Sequence, residues 1–101
     1  MVSISKLDNR AKITIEGEMT IFNAQQIASS LEIPDTKFIE LDLSQVSEFD
    51  TSGLQIMFAL KKECGLRGIE LALKAISEPI KGLLELFRIT DYFDQKQAFV
   101  E

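Results

Sequence analysis

Apolar residues alternate with polar ones in two short stretches near the start of the chain, at Val2 and Ile4, with Leu7 after them, and then at Ala11, Ile13 and Ile15. A period of two is typical of strands that bury one face. Asp8 and Asn9 lie between the two stretches, and both residue types favour tight turns. The pattern therefore predicts an N-terminal β-hairpin.

The same alternation appears twice more along the chain. Ile39, Leu41 and Leu43 alternate with acidic residues, and residues 69–73 repeat the pattern. We expect one further strand at each of these places.

Three other stretches carry apolar residues at helical spacing. The first follows Asn23, a residue type that caps helices, and the third begins at Ser77-Glu78-Pro79, which combines a cap, an early acid and an early proline. The expected buried stripes are Ala24, Ile27, Ala28 and Leu31, then Leu54, Ile56, Met57, Phe58, Leu60, Lys61 and Cys64, and finally Ile80, Leu83, Leu84 and Phe87. Strands and helices alternate after the hairpin. The fold class is therefore α/β, with one domain over residues 1–101 and a small mixed sheet whose helices pack mainly on one face.

The composition of the chain excludes several classes of function. The chain has 101 residues, of which 46% are hydrophobic, and its 11 basic against 16 acidic residues give a net charge of −5. This sign argues against nucleic acid or an anionic membrane surface as the partner. No stretch approaches the roughly 18 uninterrupted apolar residues of a membrane span, so we expect no direct membrane insertion. Histidine is absent, which excludes serine-histidine-aspartate catalysis and histidine-bound zinc. The single Cys64 can form neither an internal disulfide nor a zinc site. We expect a cytoplasmic protein that is not an enzyme and has no metal or cofactor.

The segment Asp50-Thr51-Ser52-Gly53-Leu54 joins an apolar extended segment to the second helix. Two interpretations fit it. In the first, Ser52 and Gln55 form a capping box that contributes roughly 1 kcal/mol to helix stability. In the second, Ser52 accepts a phosphate at a helix N-terminus, which moves the net charge from −5 toward roughly −7 and alters whatever docks there.

The order of these segments resembles the STAS domain, the family of bacterial anti-sigma factor antagonists and of the cytoplasmic tails of sulfate transporters. The segments that carry the resemblance are Ile15-Glu16-Gly17-Glu18-Met19, Asn23-Ala24, Phe38-Ile39-Glu40-Leu41-Asp42-Leu43-Ser44, Phe49-Asp50-Thr51-Ser52-Gly53-Leu54, Ile76-Ser77-Glu78-Pro79-Ile80, and Leu83-Leu84-Glu85-Leu86 followed by Ile89. The resemblance implies a STAS-like fold over nearly the whole chain.

The resemblance also implies a function. Ser52 would be the phosphoacceptor, Thr51 the second candidate, and Asp50 would shape the loop or orient the hydroxyl. Residues Asp50, Thr51, Ser52, Gly53 and Leu54 would contact the partner. That partner would be an ATP-binding anti-sigma factor that acts as a serine kinase, and a metal-dependent serine phosphatase would reverse the mark.

The sequence departs from the pattern of the phosphorylated family members at two positions near the expected phosphoacceptor. Thr20 stands where many phosphorylated relatives have an aspartate, and Thr51 replaces the usual first serine. Two other functions remain open. The chain could be the small STAS subunit that binds the ATPase of a bacterial lipid-transport ABC complex, or a STAS adaptor in another signalling cluster, such as one for chemotaxis.

Overall fold

A mixed four-stranded sheet forms the centre of the structure, a computed structural model that describes residues 1–93. The strands are β1 (Val2–Leu7), β2 (Arg10–Met19), β3 (Phe38–Phe49) and β4 (Glu70–Ile76), and they lie in the order β1-β2-β3-β4. β1 is antiparallel to β2, whereas β2, β3 and β4 are mutually parallel neighbours. The predicted hairpin is confirmed, with Asp8 in the left-handed region (φ 57°) at its turn.

Helices connect the parallel strands, as the alternating pattern predicts. α1 (Ala24–Ser30) joins β2 to β3 and α2 (Thr51–Leu66) joins β3 to β4, whereas α3 (Glu78–Leu86) and a short 3-10 helix (Thr90–Phe93) follow β4. The predicted α/β class is therefore confirmed. Among residues 1–93, no helix is both long and apolar enough to cross a membrane. The predicted domain extended to residue 101, and residues 94–101 lie outside the described part.

One face of the sheet carries the hydrophobic core. The buried side chains of β2 and β3 on this face form a single cluster with side chains from all three helices. The members from the strands are Ala11, Ile13, Ile15, Met19, Ile39, Leu41, Leu43 and Val46, and those from the helices include Ile27, Leu54, Met57, Leu60, Cys64, Ile80 and Leu84. The opposite face carries the ion pairs Lys12–Asp42 and Lys74–Glu40.

Three predicted core positions are wrong, and the first is Ala28 of α1, which is exposed. Phe58 and Phe87 were expected in the buried stripes of α2 and α3, but they are 36% and 45% exposed. Phe58 instead packs against the rings of Tyr92 and Phe93, with centroids 5.3 and 5.2 Å away. Lys61 lies beside this cluster, with its ammonium 5.1 Å from the Tyr92 ring.

Candidate functional site

The turn between β3 and α2 is fixed by Asp50. This residue is the N-cap of α2, and its Oδ1 accepts hydrogen bonds from Ser52 N at 2.8 Å and Gly53 N at 3.4 Å. The helix begins at Thr51, so Ser52 is its second residue. The predicted capping box, with Ser52 as the cap, is therefore wrong, because the aspartate two positions earlier takes that role.

The second oxygen of Asp50 reaches a distant segment. Oδ2 accepts a hydrogen bond from Ile21 N at 3.0 Å, and Asp50 N donates to Met19 O at 3.3 Å. The chain that leaves β2 is thereby joined to the start of α2. Two segments that are 29 residues apart in sequence form one site.

Gly53 permits this close approach. A Cβ atom at this position would overlap the carbonyl oxygen of Met19 and lie 2.7 Å from ring atoms of Phe49. The backbone at the carboxyl end of β2 and the Phe49 ring at the end of β3 therefore pack directly on the first turn of α2. Glycine is required at this position because a Cβ atom has no space. Its φ angle is not in the left-handed region, so backbone conformation is not the reason.

The two candidate phosphoacceptors differ in environment. Thr51 is exposed, whereas Ser52 is half-buried and lies at the margin of a groove between α1 and α2. The groove has a volume of about 480 Å³, and its walls are mainly the apolar side chains Ala24, Ala28, Leu31, Ile33, Ile56, Ala59 and Leu60. Ser52 thus borders both the turn and an open apolar surface.

Residues 20–23 form a tight loop beside this turn. Thr20 is buried, and its backbone N–H donates to Asn23 Oδ1 at 2.9 Å, while Phe22 N donates to Thr20 Oγ1 at 3.3 Å. Asn23 occupies the predicted N-cap position of α1, but its side chain bonds to Thr20 N and Glu18 O, and makes no cap hydrogen bond with α1. Ile21 is 69% and Phe22 90% exposed. The apolar pattern gave no reason to expect this, because adjacent apolar residues do not indicate which of them face solvent.

Among the titratable groups that the structure describes, two have clearly shifted pKa values, and hydrogen bonding or burial accounts for each shift. Hydrogen bonds from the backbone and side chain of Ser44 lower the pKa of Asp42, with a smaller contribution from Lys12. Burial raises the pKa of the Cys64 thiol, which favours its neutral form. Within residues 1–93, no group of three His, Cys, Asp or Glu side chains is placed to hold a metal ion.

Comparison with known proteins finds one family along almost the whole chain. The family model of the STAS domain matches residues 2–100. An anti-sigma-B factor antagonist of Listeria monocytogenes is 28% identical over 89 residues, which span 85% of this chain and 78% of that protein.

Two solved structures share the fold. One is the anti-sigma factor antagonist SpoIIAA in its unphosphorylated form, with a TM-score of 0.71 at 13% identity over 91% of this chain and 84% of that one. The other is a sulfate transporter family protein from Wolinella succinogenes, with a TM-score of 0.70 at 22% identity over 90% and 78%. At these identities the structures establish the fold alone.

Proposed function

Because the chain belongs to the STAS domain family, we propose that it is a non-enzymatic regulatory protein that binds an anti-sigma-type serine kinase and is released by phosphorylation of Ser52. The similarity to an anti-sigma factor antagonist supports the partner class. In this proposal both proteins are cytoplasmic, and a metal-dependent serine phosphatase restores the binding form.

The position of Ser52 carries this proposal. It is the second residue of α2, half-buried at the edge of an apolar groove, on a turn held by Asp50. A kinase must reach this hydroxyl, and a partner that covers the groove must approach it closely. Thr51 is exposed one residue earlier and is the second candidate.

The phosphate would act on binding more than on folding. Ser52 N and Gly53 N already donate to the Asp50 carboxylate, so a phosphate meets amides that have a partner and a negative charge beside them. The favourable effect of a helix N-terminus on an anion, about 0.3–1 kcal/mol, is therefore offset here. A phosphoserine adds about −1.5 to −2 charges. Placing these charges in a desolvated interface can cost several kcal/mol, and each 1.4 kcal/mol weakens binding tenfold.

The phosphoryl transfer requires only an accessible hydroxyl group from this chain. The Ser52 oxygen attacks the γ-phosphorus of ATP, the bond from that phosphorus to the bridging oxygen breaks, and ADP leaves. The hydroxyl proton passes to a base of the kinase. A chain without histidine can serve as the substrate of this reaction because the kinase supplies the base and binds the nucleotide.

Phosphorylation by a defined kinase tests the proposal. The purified chain is incubated with ATP and each ATP-binding anti-sigma-type serine kinase encoded in the same genome, and its mass is measured. We expect one added phosphate, located on Ser52, with Ser52→Ala unlabelled and Thr51→Ala labelled like the parent. Equal labelling of Ser52→Ala and the parent would contradict the assignment, and failure of every kinase to bind or label the parent would overturn the proposed function.

The groove between α1 and α2 favours one other function. An apolar groove of about 480 Å³ can receive a partner without a phosphate. A subunit that binds the ATPase of a lipid-transport ABC complex would use it constitutively. Stable binding to that ATPase, unchanged by Ser52→Asp, together with no binding to any of the kinases, would support this function instead.

A further inference from the structure

We infer that Ile21 and Phe22, which we call the apolar anchor, insert into an uncharged apolar pocket on the protein partner. This inference rests on the proposed function and assigns to its partner a contact outside the turn at Ser52. The anchor lies on the loop between β2 and α1, whereas the phosphoacceptor lies at the start of α2.

The anchor exposes two adjacent apolar side chains. Phe22 is 90% and Ile21 69% exposed, and the residues on either side, Thr20 and Asn23, are more buried than both. Single exposed apolar residues are ordinary, but an adjacent pair of large ones at a loop tip is a contiguous patch of the kind that marks protein interfaces. Large aromatic side chains also dominate the binding energy of interfaces.

The loop holds the anchor in a fixed arrangement. Ile21 N donates to Asp50 Oδ2 at 3.0 Å, and Phe22 N donates to Thr20 Oγ1 at 3.3 Å. Asn23 N donates to Thr20 O at 3.1 Å, which closes the loop behind them. Both amides of the anchor therefore have partners, and little backbone entropy remains to be lost on binding. This arrangement is expected of a binding element.

The charges around the anchor favour a protein partner over two other occupants. Glu18 accepts a hydrogen bond from Thr20 Oγ1 at 3.4 Å, and Glu48 lies directly opposite Glu18 on β3. With Asp50, which accepts from Ile21 N, three acidic residues lie at the ends of β2 and β3 and at the start of α2, the elements that border the loop of the anchor. They would repel the headgroups of an anionic membrane, and they would meet the same three carboxylates across a two-fold contact between copies of this chain.

Asp50 connects the anchor to the proposed switch. Its two oxygens bind the backbone of Ser52 and of Ile21, so only one carboxylate separates the phosphoacceptor from the anchor. A pocket that excludes water around Phe22 would have its rim near Ser52. The added phosphate would then lose hydration at this rim, and an uncharged pocket offers it no compensating cation. This explains how one phosphate could release a partner that is anchored by apolar side chains.

Substitution of the anchor tests the inference. The affinity of the unphosphorylated chain for the kinase identified above is measured by titration calorimetry without ATP. Phe22→Ser and Ile21→Ser are compared with Leu66→Ser, a matched control that is 74% exposed at the far end of α2. We expect at least a tenfold loss of affinity for Phe22→Ser, a smaller loss for Ile21→Ser, and less than a twofold change for Leu66→Ser. Urea unfolding should be unchanged in all three variants.

The outcomes separate the two proposals. If the parent binds the kinase and Phe22→Ser binds equally well, the anchor is wrong and the proposed function stands. If no kinase binds the parent, the proposed function is wrong, and the assignment of the anchor to a kinase partner is wrong as well. Two further measurements test the other occupants: sedimentation of the chain alone, and binding to phosphatidylcholine vesicles with and without 30% phosphatidylglycerol. A dimer or a vesicle complex that Phe22→Ser disperses would overturn the inference.

Discussion

Asp50 Oδ2 accepts a hydrogen bond from Ile21 N at 3.0 Å, across 29 positions of the sequence. The other carboxylate oxygen accepts Ser52 N at 2.8 Å and caps α2. One side chain therefore positions both the proposed phosphoacceptor and the loop that carries the apolar anchor. Any substitution of Asp50 should therefore alter both the first turn of α2 and the loop that carries the apolar anchor.

Asp50→Ala should lower the free energy of unfolding by about 1–2 kcal/mol, because it removes an N-cap and leaves amides without their acceptor. Asp50→Asn keeps one oxygen, which can cap α2 but cannot also accept from Ile21. We expect a smaller loss of stability for Asn, and faster hydrogen exchange of the Ile21 amide in both variants. Urea unfolding and exchange measured by NMR provide the readouts. Asp35→Ala, at an exposed position, is the control. An Ile21 amide that exchanges at the parent rate in Asp50→Ala would contradict the finding.

Two glycines of α2 should respond to alanine in opposite directions. A Cβ on Gly53 would overlap Met19 O, a backbone atom that cannot move aside cheaply, whereas a Cβ on Gly65 meets nothing within 4 Å. Gly53→Ala should therefore destabilise the protein by about 1–3 kcal/mol. Gly65→Ala should stabilise it by about 0.5–1 kcal/mol, since alanine favours the helix. Thermal and urea unfolding measure both changes. A neutral Gly53→Ala would show that the close approach of β2 to α2 is not maintained in solution.

The sequence predicts the sheet well because one buried face imposes a strict period of two. Ile13 and Ile15 in β2, and Ile39 and Leu41 in β3, lie where the alternation places them. The period fails after Leu43, where β3 continues to Phe49 through irregular pairing with β2. An extra residue in a strand shifts the alternation without leaving a mark in local sequence, so the second half of β3 was not predicted.

The helix start could not be assigned from sequence, because Asp50 and Ser52 are both good N-cap residues. Tertiary contacts decide between them. Asp50 also binds Ile21 N, and Gly53 packs on Met19 O, which together place the first turn of α2 at Thr51.

Ser77, before α3, is a cap residue whose position is predicted correctly but whose side chain makes no cap hydrogen bond. It takes the predicted cap position of α3, yet its hydroxyl is buried without a hydrogen-bond partner among the described residues. Residue type indicates a cap position more reliably than the bond made there.

The charge of a phosphate at Ser52 should matter for binding and little for folding. Ser52→Asp adds one negative charge, and Ser52→Asn is the matched neutral variant. Both should change the free energy of unfolding by less than about 1 kcal/mol, since the first-turn amides already donate to Asp50. The kinase affinity of Ser52→Asp should fall at least tenfold, and that of Ser52→Asn less than threefold. Equal losses in the two variants, measured by calorimetry, would indicate a steric effect in place of the proposed electrostatic one.

Asp42 should make stability depend on pH. Its Oδ1 accepts hydrogen bonds from Ser44 N at 3.0 Å and Ser44 Oγ at 2.7 Å, which lower its pKa in the folded state. A lowered pKa gives a contribution that is fully present above the unfolded-state value of about 4 and is lost as the pH falls through the folded-state value. Asp42→Asn should therefore cost about 1–2 kcal/mol at pH 7 and progressively less below pH of about 4.

Urea unfolding between pH 7 and pH 3 checks this dependence. Ser44→Ala serves as the partial control, because it removes the hydroxyl bond to Asp42 and keeps the backbone bond. We expect an intermediate loss of stability with the same direction of pH dependence. A difference between the parent and Asp42→Asn that stays constant over this range would contradict the assigned hydrogen bonds.

The substitution Arg88→Gly should increase the free energy of unfolding of the protein. Arg88 follows α3 in the left-handed region (φ 58°), where its amide donates to Glu85 O at 3.1 Å and the next amide, that of Ile89, donates to Leu84 O at 3.0 Å. This turn directs Ile89 back onto the core, and a residue with a Cβ adopts it at a cost of about 1–2 kcal/mol. Arg88→Gly removes that cost and adds some unfolded-state entropy, so we expect a net gain of about 0.5–1 kcal/mol.

The matching residue after α2 provides the reciprocal test for Arg88. Gly68 has φ 70°, and a Cβ placed on it would meet nothing within 4 Å, so Gly68→Ala isolates the conformational cost. It should destabilise the protein by about 1 kcal/mol in urea unfolding, opposite in sign to Arg88→Gly. If Arg88→Gly also destabilises the protein, the Arg88 side chain contributes more than its backbone strain costs. If Gly68→Ala is neutral, the turn after α2 relaxes without a left-handed residue.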